Sequence, residues 1–307
     1  MNVLVTGGAG FIGSHLVGTL LSAGHRVRVL DNLSTGKLSN LGQARAVDMI
    51  EGDIRDRKVV ADAVHGTDAI VHLAAVASVQ ASIDDPVGTH ETNLVGTLNL
   101  LEAARAHRVG RFVYASSAAV YGDTQHLPVA EHNGVAPLSP YAADKLAGEH
   151  YLDFYRRKFD LKGTAYRFFN IYGPRQDPSS PYSGVISIFA QRVSEGAPVI
   201  IFGDGQQTRD FVYVGDLVQL LAQTLTNDAT IGQVMNVGRG TECSLLELLA
   251  ELERIAGRKT ECRHEPARIG DILRSCADVG RLRAAGGQVP TTPLALGLKQ
   301  LLGETAG

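Results

Sequence analysis

The chain has no tryptophan and only three cysteines in 307 residues. Cys243, Cys262 and Cys276 are odd in number and form no Cys-x-x-Cys pair, which argues against a disulfide framework and a structural zinc centre. The histidines lack metal-ligand spacing, so no metal is expected. Positive charge is not in excess: 29 Lys and Arg face 32 Asp and Glu, a formal net charge of −3. A nucleic-acid partner is therefore not expected, because such binding needs cations to neutralise phosphates. No apolar run approaches the roughly 18 residues that suggest a membrane span. Met1-Asn2-Val3-Leu4-Val5 lacks the basic start of a secretory leader and runs straight into a glycine turn. Internal repeats and low-complexity tracts are also missing. With 44% hydrophobic and 20% charged residues, the chain reads as a globular, cytoplasmic, enzyme-sized protein with a sizeable core.

What is present is alternation. Short apolar or β-branched runs at residues 3–6, 26–31, 49–52, 69–73, 111–116 and 162–167 are separated by helical patterns, notably 11–23, 87–107 and 140–159. Buried strands each followed by a helix predict a doubly wound, Rossmann-like α/β fold around a parallel sheet. After about residue 170 the character changes, with a proline-rich loop over 173–184 and helical stretches at 185–195, 216–226 and 245–255. Strands at 198–202 and 233–237 interrupt them. Two units are expected: a nucleotide-binding domain over 1–170 and a smaller α/β substrate lobe over 171–307, some of whose segments rejoin the first sheet.

Thr6-Gly7-Gly8-Ala9-Gly10-Phe11-Ile12-Gly13 places Gly7, Gly10 and Gly13 directly after a strand and at the opening of a helix. Such glycines permit a tight turn, a close backbone approach to a pyrophosphate and close helix–strand packing. The helix N-terminus then offers free N–H groups and partial positive charge, through Phe11 and Ile12 as well as the glycines. A glycine triplet alone is equally an ordinary turn; its context decides. Asp31 closes the second strand, where a carboxylate accepts hydrogen bonds from a ribose diol and repels a 2′-phosphate, so NAD is expected over NADP. Asn32 and Gly36 follow it, and Asp53-Ile54 after the third strand is placed to meet the adenine.

Tyr141 and Lys145 lie four apart in a helical segment and so share a face. A phenol of pKa about 10 needs a shift of about 3 units, roughly 4 kcal/mol, to serve as a base near neutrality. A lysine ammonium beside it and the charge of an oxidised nicotinamide favour that shift. Ser117, with Ser116, stands at the end of the fifth strand, where ligands bind in open parallel sheets. Singly these are a helix surface pair and a strand cap; together with the cradle they form a hydride-transfer constellation.

The assembled motifs are TGGAGFIGSH (6–15), Asp31-Asn32, His72-Leu73-Ala74-Ala75, Asn93 with Gly96-Thr97, SSAAVYG (116–122), SPYAADK (139–145), RFFNIYGPRQ (167–176), TRDFVYVGD (208–216) and RIGD (268–271). With them the chain resembles an extended short-chain dehydrogenase/reductase, specifically the nucleotide-sugar 4-epimerases related to UDP-glucose 4-epimerase, over nearly its whole length. The resemblance implies Tyr141 as acid/base, Lys145 on the nicotinamide ribose and Ser117 assisting proton movement at the sugar O4. It assigns Leu73, Ala74, Ala75, Val76, Asn93 and Phe168 to the NAD side. Asn170, Val185, Phe202, Arg209, Arg268 and Asp271 fall to the UDP-sugar side, the arginines suiting a diphosphate because a guanidinium fork meets two oxygens. It also implies a homodimer joined through a four-helix bundle of 87–107 and 140–159.

Related 4,6-dehydratases carry an Asp-Glu pair, and decarboxylases a glutamate, where this chain has Ala118 and Ala119; epimerisation is the simpler outcome. Ser275 corresponds to a wall of the sugar pocket, and its small size leaves room for a 2-acetamido group. UDP-glucose and UDP-N-acetylglucosamine rank together, with UDP-glucuronate close behind. A net nucleotide-sugar oxidoreductase, a dehydratase or decarboxylase, and a non-catalytic NAD sensor remain as alternatives. Cys276 and His72 are read as packing residues, since nothing pairs with either for catalysis.

Overall fold

Along β1 (Asn2–Thr6), Val3 and Val5 enter one hydrophobic cluster and Leu4 another, because successive strand side chains point to opposite faces. The computed structural model describes residues 1–42, 47–178, 184–267 and 272–305. β2 (Arg26–Asp31), β3 (Val47–Glu51), β4 (Ala69–His72), β5 (Arg111–Ser117) and β6 (Gly163–Phe168) repeat the arrangement and pair in parallel. Parallel neighbours require crossovers. These are built from α1 (Phe11–Ser22), α2 (Arg57–Val64), α3 (Val79–Asp84), α4 (Pro86–His90), α5 (Gly96–Ala106) and α6 (Pro140–Phe159).

Beyond β6 come β7 (Asn170–Tyr172), α7 (Val185–Glu195), β8 (Val199–Phe202), β9 (Thr208–Arg209), β10 (Phe211–Tyr213), α8 (Val214–Thr224) and β11 (Val234–Val237). The sheet order is β11-β6-β5-β4-β1-β2-β3, so strands are added to one side up to β3 and to the other from β4 on, the order reversing between β1 and β4. That gap is the topological switch point, where open α/β sheets bind ligands. Its seventh strand comes from beyond residue 170: β11 pairs with β6, Val237 opposite Phe168. On one face Leu16, Val17 and Leu20 of α1 meet Leu217, Leu220 and Leu221 of α8; on the other lie Val60, Leu100, Leu101 and Leu152.

A third cluster closes the remainder of the chain. β12 (Cys243–Ser244), α9 (Leu245–Ala256), β13 (Cys262–Glu265), α10 (Gly280–Ala284) and α11 (Leu294–Thr305) complete the order. Ile186, Phe189, Val193, Leu248, Leu252 and Leu298 interlock α7, α9 and α11. Ser244 and Glu247 form a capping box that starts α9.

The stretch read as one helix over 87–107 is not regular. α4 ends at His90, residues Glu91–Val95 form a wider π-type turn, and α5 begins at Gly96. Apolar spacing cannot register one widened turn, which is offset by a tertiary contact: Asn93 Oδ1 accepts from the Val76 N–H at 2.8 Å and Asn93 Nδ2 donates to the Val76 carbonyl at 3.0 Å.

A buried ion pair joins the catalytic half of the sheet. Glu149 of α6 accepts from Arg167 of β6 at 2.9 and 2.7 Å and from the Ser116 hydroxyl of β5, with both charged side chains almost fully buried. Arg167 also lies over the Tyr121 ring at 4.7 Å. Arg167→Met strands a dry carboxylate and should cost about 3–5 kcal/mol in urea unfolding, whereas Glu149→Leu/Arg167→Met together should lie nearer the parent protein.

Candidate active site

The glycine turn is shaped by steric contact. Gly7 has φ +69°, and a Cβ there would stand 2.9 Å from the Ala74 nitrogen; a Cβ on Gly13 would fall 2.1 Å from the Gly7 carbonyl oxygen. Gly10 caps α1 without a side-chain acceptor, and the first turn holds no acidic residue. The N–H groups of that turn therefore point at no internal anion, which fits a pyrophosphate. Asp31 accepts from the Ala9 N–H at 2.9 Å and the Leu33 N–H at 2.8 Å, so the expected ribose carboxylate also braces the turn. Gly36 lies so close that a Cβ there would sit 3.0 Å from both Asp31 oxygens.

Asp53 takes hydrogen bonds from Arg55 and from Asn32 at 3.0 Å, and the Arg55 guanidinium is the main reason its pKa falls to about 2. Ile54 is buried in the core, and its carbonyl accepts from Asn99 Nδ2 at 3.0 Å. Residues 73–76 leave β4 at the switch point, half-buried and clamped by Asn93. Both amide atoms of Asn93 are engaged by Val76, so its side chain supports the loop.

Ser139 accepts the Ala142 N–H at 3.2 Å and Pro140 sets the first turn of α6, which carries Tyr141 at the helix mouth. Lys145, one turn on, is buried; its Nζ donates to the Ala115 carbonyl at 2.7 Å and lies 5.8 Å from the Tyr141 ring centroid. Ser117 ends β5 opposite Phe168 and stands near enough to the Tyr141 phenol to oppose the effect of burial on it. Burial brings the Lys145 pKa down to about 8, opposed by Asp144. The phenol itself is pushed up by burial, with Ser117 pulling the other way. The expectation called on two cations, the lysine and an oxidised nicotinamide, to draw Tyr141 toward neutrality. The ammonium is directed at a carbonyl, and desolvation outweighs it, so the base form needs a further positive charge in the cleft.

Of the residues expected on the UDP-sugar side, Asn170 is exposed at the start of β7, and Val185, Phe202, Arg209 and Ser275 are half-buried. Phe211 pairs with Asn170, and Arg209 Nη1 donates to the Ile272 carbonyl at 2.7 Å, bringing 170, 209 and 272 together. Arg268 and Asp271 lie outside the described residues. Cys276 is buried and its thiol is pushed up to about 11 by burial, which agrees with a packing role.

Sequence reasoning passed over Asp210. Its carboxylate is fully buried and accepts N–H bonds from Arg239 at 2.8 Å, Gly240 at 2.9 Å and Ala277 at 3.1 Å, tying β9 and β10 to the strand end at 238–240 and to the segment behind Ser275. The signal was an acidic residue inside the apolar TRDFVYV run. Glu149 and Arg167 were passed over likewise.

A strand–glycine–helix cradle, a Ser at the end of a parallel strand, and a Tyr and Lys one turn apart on the following helix define a nicotinamide-dependent enzyme of the short-chain dehydrogenase/reductase type. The sequence profile of the NAD dependent epimerase/dehydratase family matches residues 3–238, and the chain belongs to that family. It is 43% identical over 303 residues to UDP-glucose 4-epimerase of Mycolicibacterium smegmatis, covering 97% of this chain and 96% of the relative. The Thermus thermophilus UDP-glucose 4-epimerase, solved in complex with NAD, superposes with a TM-score of 0.92 at 41% identity, covering 100% of this chain and 99% of that one. The Methanobrevibacter ruminantium UDP-N-acetylglucosamine 4-epimerase, solved with UDP-N-acetylmuramic acid, gives a TM-score of 0.95 at 32% identity over 99% and 98% of the two chains.

Gly13→Ala forces the helix away from the Gly7 carbonyl. Calorimetric titration should show NAD affinity reduced about tenfold or more, with a stability loss of about 1–3 kcal/mol.

Proposed function

We propose that the protein is an NAD-dependent UDP-sugar 4-epimerase. The observation that carries this reading is the meeting of Ser117, Tyr141 and Lys145 beside the glycine cradle, with alanines at 118 and 119 in the turn that follows Ser117. Related dehydratases and decarboxylases carry carboxylates at that turn, and these positions supply none, which favours epimerisation.

NAD, when bound, supplies a reversible hydride acceptor at C4 of the sugar. The cradle at Gly7, Gly10 and Gly13, the Asp31 carboxylate and the loop 73–76 would hold it. Tyr141 takes the proton from the O4 hydroxyl, and Ser117 beside the phenol gives the proton a defined path. The same phenol returns the proton after the sugar has turned its other face. Lys145, charged, favours the phenolate as it forms. Asn170, Val185, Phe202 and Arg209, with Arg268 and Asp271, grip the uridine diphosphate and leave the hexose free to turn about its diphosphate link.

Ser275 leaves room for a 2-acetamido group, so UDP-glucose and UDP-N-acetylglucosamine are the first candidates, followed by UDP-glucuronate; relatives of both of the first two kinds support this order. Residues 1–170 make the NAD-binding domain, and most of 171–307 the substrate lobe. Val79, Ile83, Val87, Tyr151 and Phe154 form an exposed apolar face on α3, α4 and α6, which favours a homodimer through a four-helix bundle. Among the described residues no helix is long and apolar enough to cross a membrane. A cytoplasmic setting suits an enzyme that draws on NAD and UDP-sugars.

The test is proton NMR of the protein with NAD and each of the three UDP-sugars. New anomeric signals from the 4-epimer of at least one are expected; no change with any of them overturns the reading. Tyr141→Phe should lower kcat about 10²–10⁴-fold with UDP-sugar affinity kept. A lysine works here only while charged, so kcat should fall as pH rises through about 8, the value to which burial brings Lys145.

A further inference from the structure

His72 belongs to the HLAA motif, and the reaction itself gives it nothing to do. It is 1% exposed at the end of β4, its ring edge-on to Phe112 at 6.2 Å. Yet both ring nitrogens are engaged: Nδ1 lies 2.7 Å from Thr6 Oγ1, and Nε2 lies 2.9 Å from Thr97 Oγ1.

The proton positions follow from the acceptors. Thr97 Oγ1 donates to the Asn93 carbonyl at 2.5 Å, and a carbonyl can only accept, so the one hydroxyl proton of Thr97 is committed there. His72 Nε2 must then carry a proton and donate to Thr97. A neutral imidazole has one N–H, so Nδ1 accepts and Thr6 donates to it. Thr6 Oγ1 is left with its lone pairs facing the N–H groups of Leu73 at 3.2 Å and Ala74 at 3.3 Å. Burial first, and the nearby Lys145 charge second, hold the His72 pKa at about 3, so the ring stays neutral across the working range. Every donor in this hydrogen-bonded series meets an acceptor, and the loop 73–76 is tied at both ends: through Thr6 at Leu73 and Ala74, and through Asn93 at Val76.

We infer that His72 is a positioning residue for the cofactor, acting in its Nε2–H form through Thr6 and Thr97 to set the backbone of the loop 73–76 against the glycine cradle. This rests on the reading of that loop as part of the NAD site. The contact is direct: the Ala74 nitrogen is the nearest atom to a Cβ at Gly7. Rotating the Thr6 hydroxyl away would leave the Ala74 N–H without its acceptor beside the turn that must cradle the pyrophosphate, while the Leu73 N–H would keep the Thr6 carbonyl at 3.2 Å.

The experiment titrates NAD into the full-length protein by calorimetry and measures kcat, the KM for NAD and Tm for each variant. His72→Phe keeps a ring of similar size and removes both hydrogen bonds; its Kd for NAD should rise about tenfold, with kcat at saturating NAD within about threefold of the parent. Thr6→Val should reproduce the loss, Thr6→Ser should restore parental affinity, and His72→Phe/Thr6→Val should be no worse than the weaker single variant, because both act through one series of bonds. Should His72→Phe fail to fold, the Thr6→Val and Thr6→Ser pair alone decides. Unchanged NAD affinity in folded variants, a Tm loss with no affinity change, or a fall in kcat with affinity kept would each overturn the inference. A parent protein that binds no NAD would instead overturn the reading of the site itself.

Discussion

The carboxylate of Glu149 is the interaction on which the catalytic arrangement depends. It receives Ser116 from β5 and Arg167 from β6 while standing on α6, two turns beyond Tyr141 and one beyond Lys145. Ser117 is next to one of these partners and Phe168 next to another. A single dry ion pair thus sets helix and strand ends at one height above the sheet. Such a pair is a weak source of net stability, because desolvation offsets most of the attraction. Its consequence here is orientation: α6 cannot slide without stranding charge.

Desolvation also governs the titrating groups. Tyr141, Lys145, His72 and Asp210 are all moved toward their neutral forms by burial. For His72 that is the useful state, since a neutral ring can donate from one nitrogen and accept at the other. For Tyr141 it is an obstacle that the polypeptide leaves in place. In the proposed reaction the phenol would become a base only as positive charge enters the cleft, which would tie proton removal to an oxidised cofactor.

Asp210 plays on the substrate side the part that Glu149 plays on the other. It bridges the region of Arg209, the loop after β11 and the segment behind Ser275 through backbone N–H groups alone. The seventh strand runs the same way, from beyond residue 170 into the first sheet. The two halves of the chain consequently share backbone hydrogen bonds, and the residues proposed for the substrate are built on the same framework as the glycine cradle.

The strand–helix alternation, the glycine cradle, Asp31 and the reach of Tyr141 and Lys145 across one helical turn were legible in the chain itself, because they rest on local rules: a period of two, a period of 3.6, and the steric freedom of glycine. Ser139 and Pro140 likewise announce where α6 begins. The widened turn at Glu91–Val95, the protonation of His72, the direction of the Lys145 ammonium and the burial of Asp210 and Glu149 were decided by tertiary structure. Each depends on partners far apart in the chain, from 17 positions where Asn93 reaches Val76 to 67 where Asp210 reaches Ala277. No local pattern encodes how dry a group becomes once those partners close around it. By itself the sequence determined which chemical groups this protein possesses and on which elements they ride; the fold decided which of them are charged and which hold the others in place, since that follows from burial and long-range hydrogen bonding.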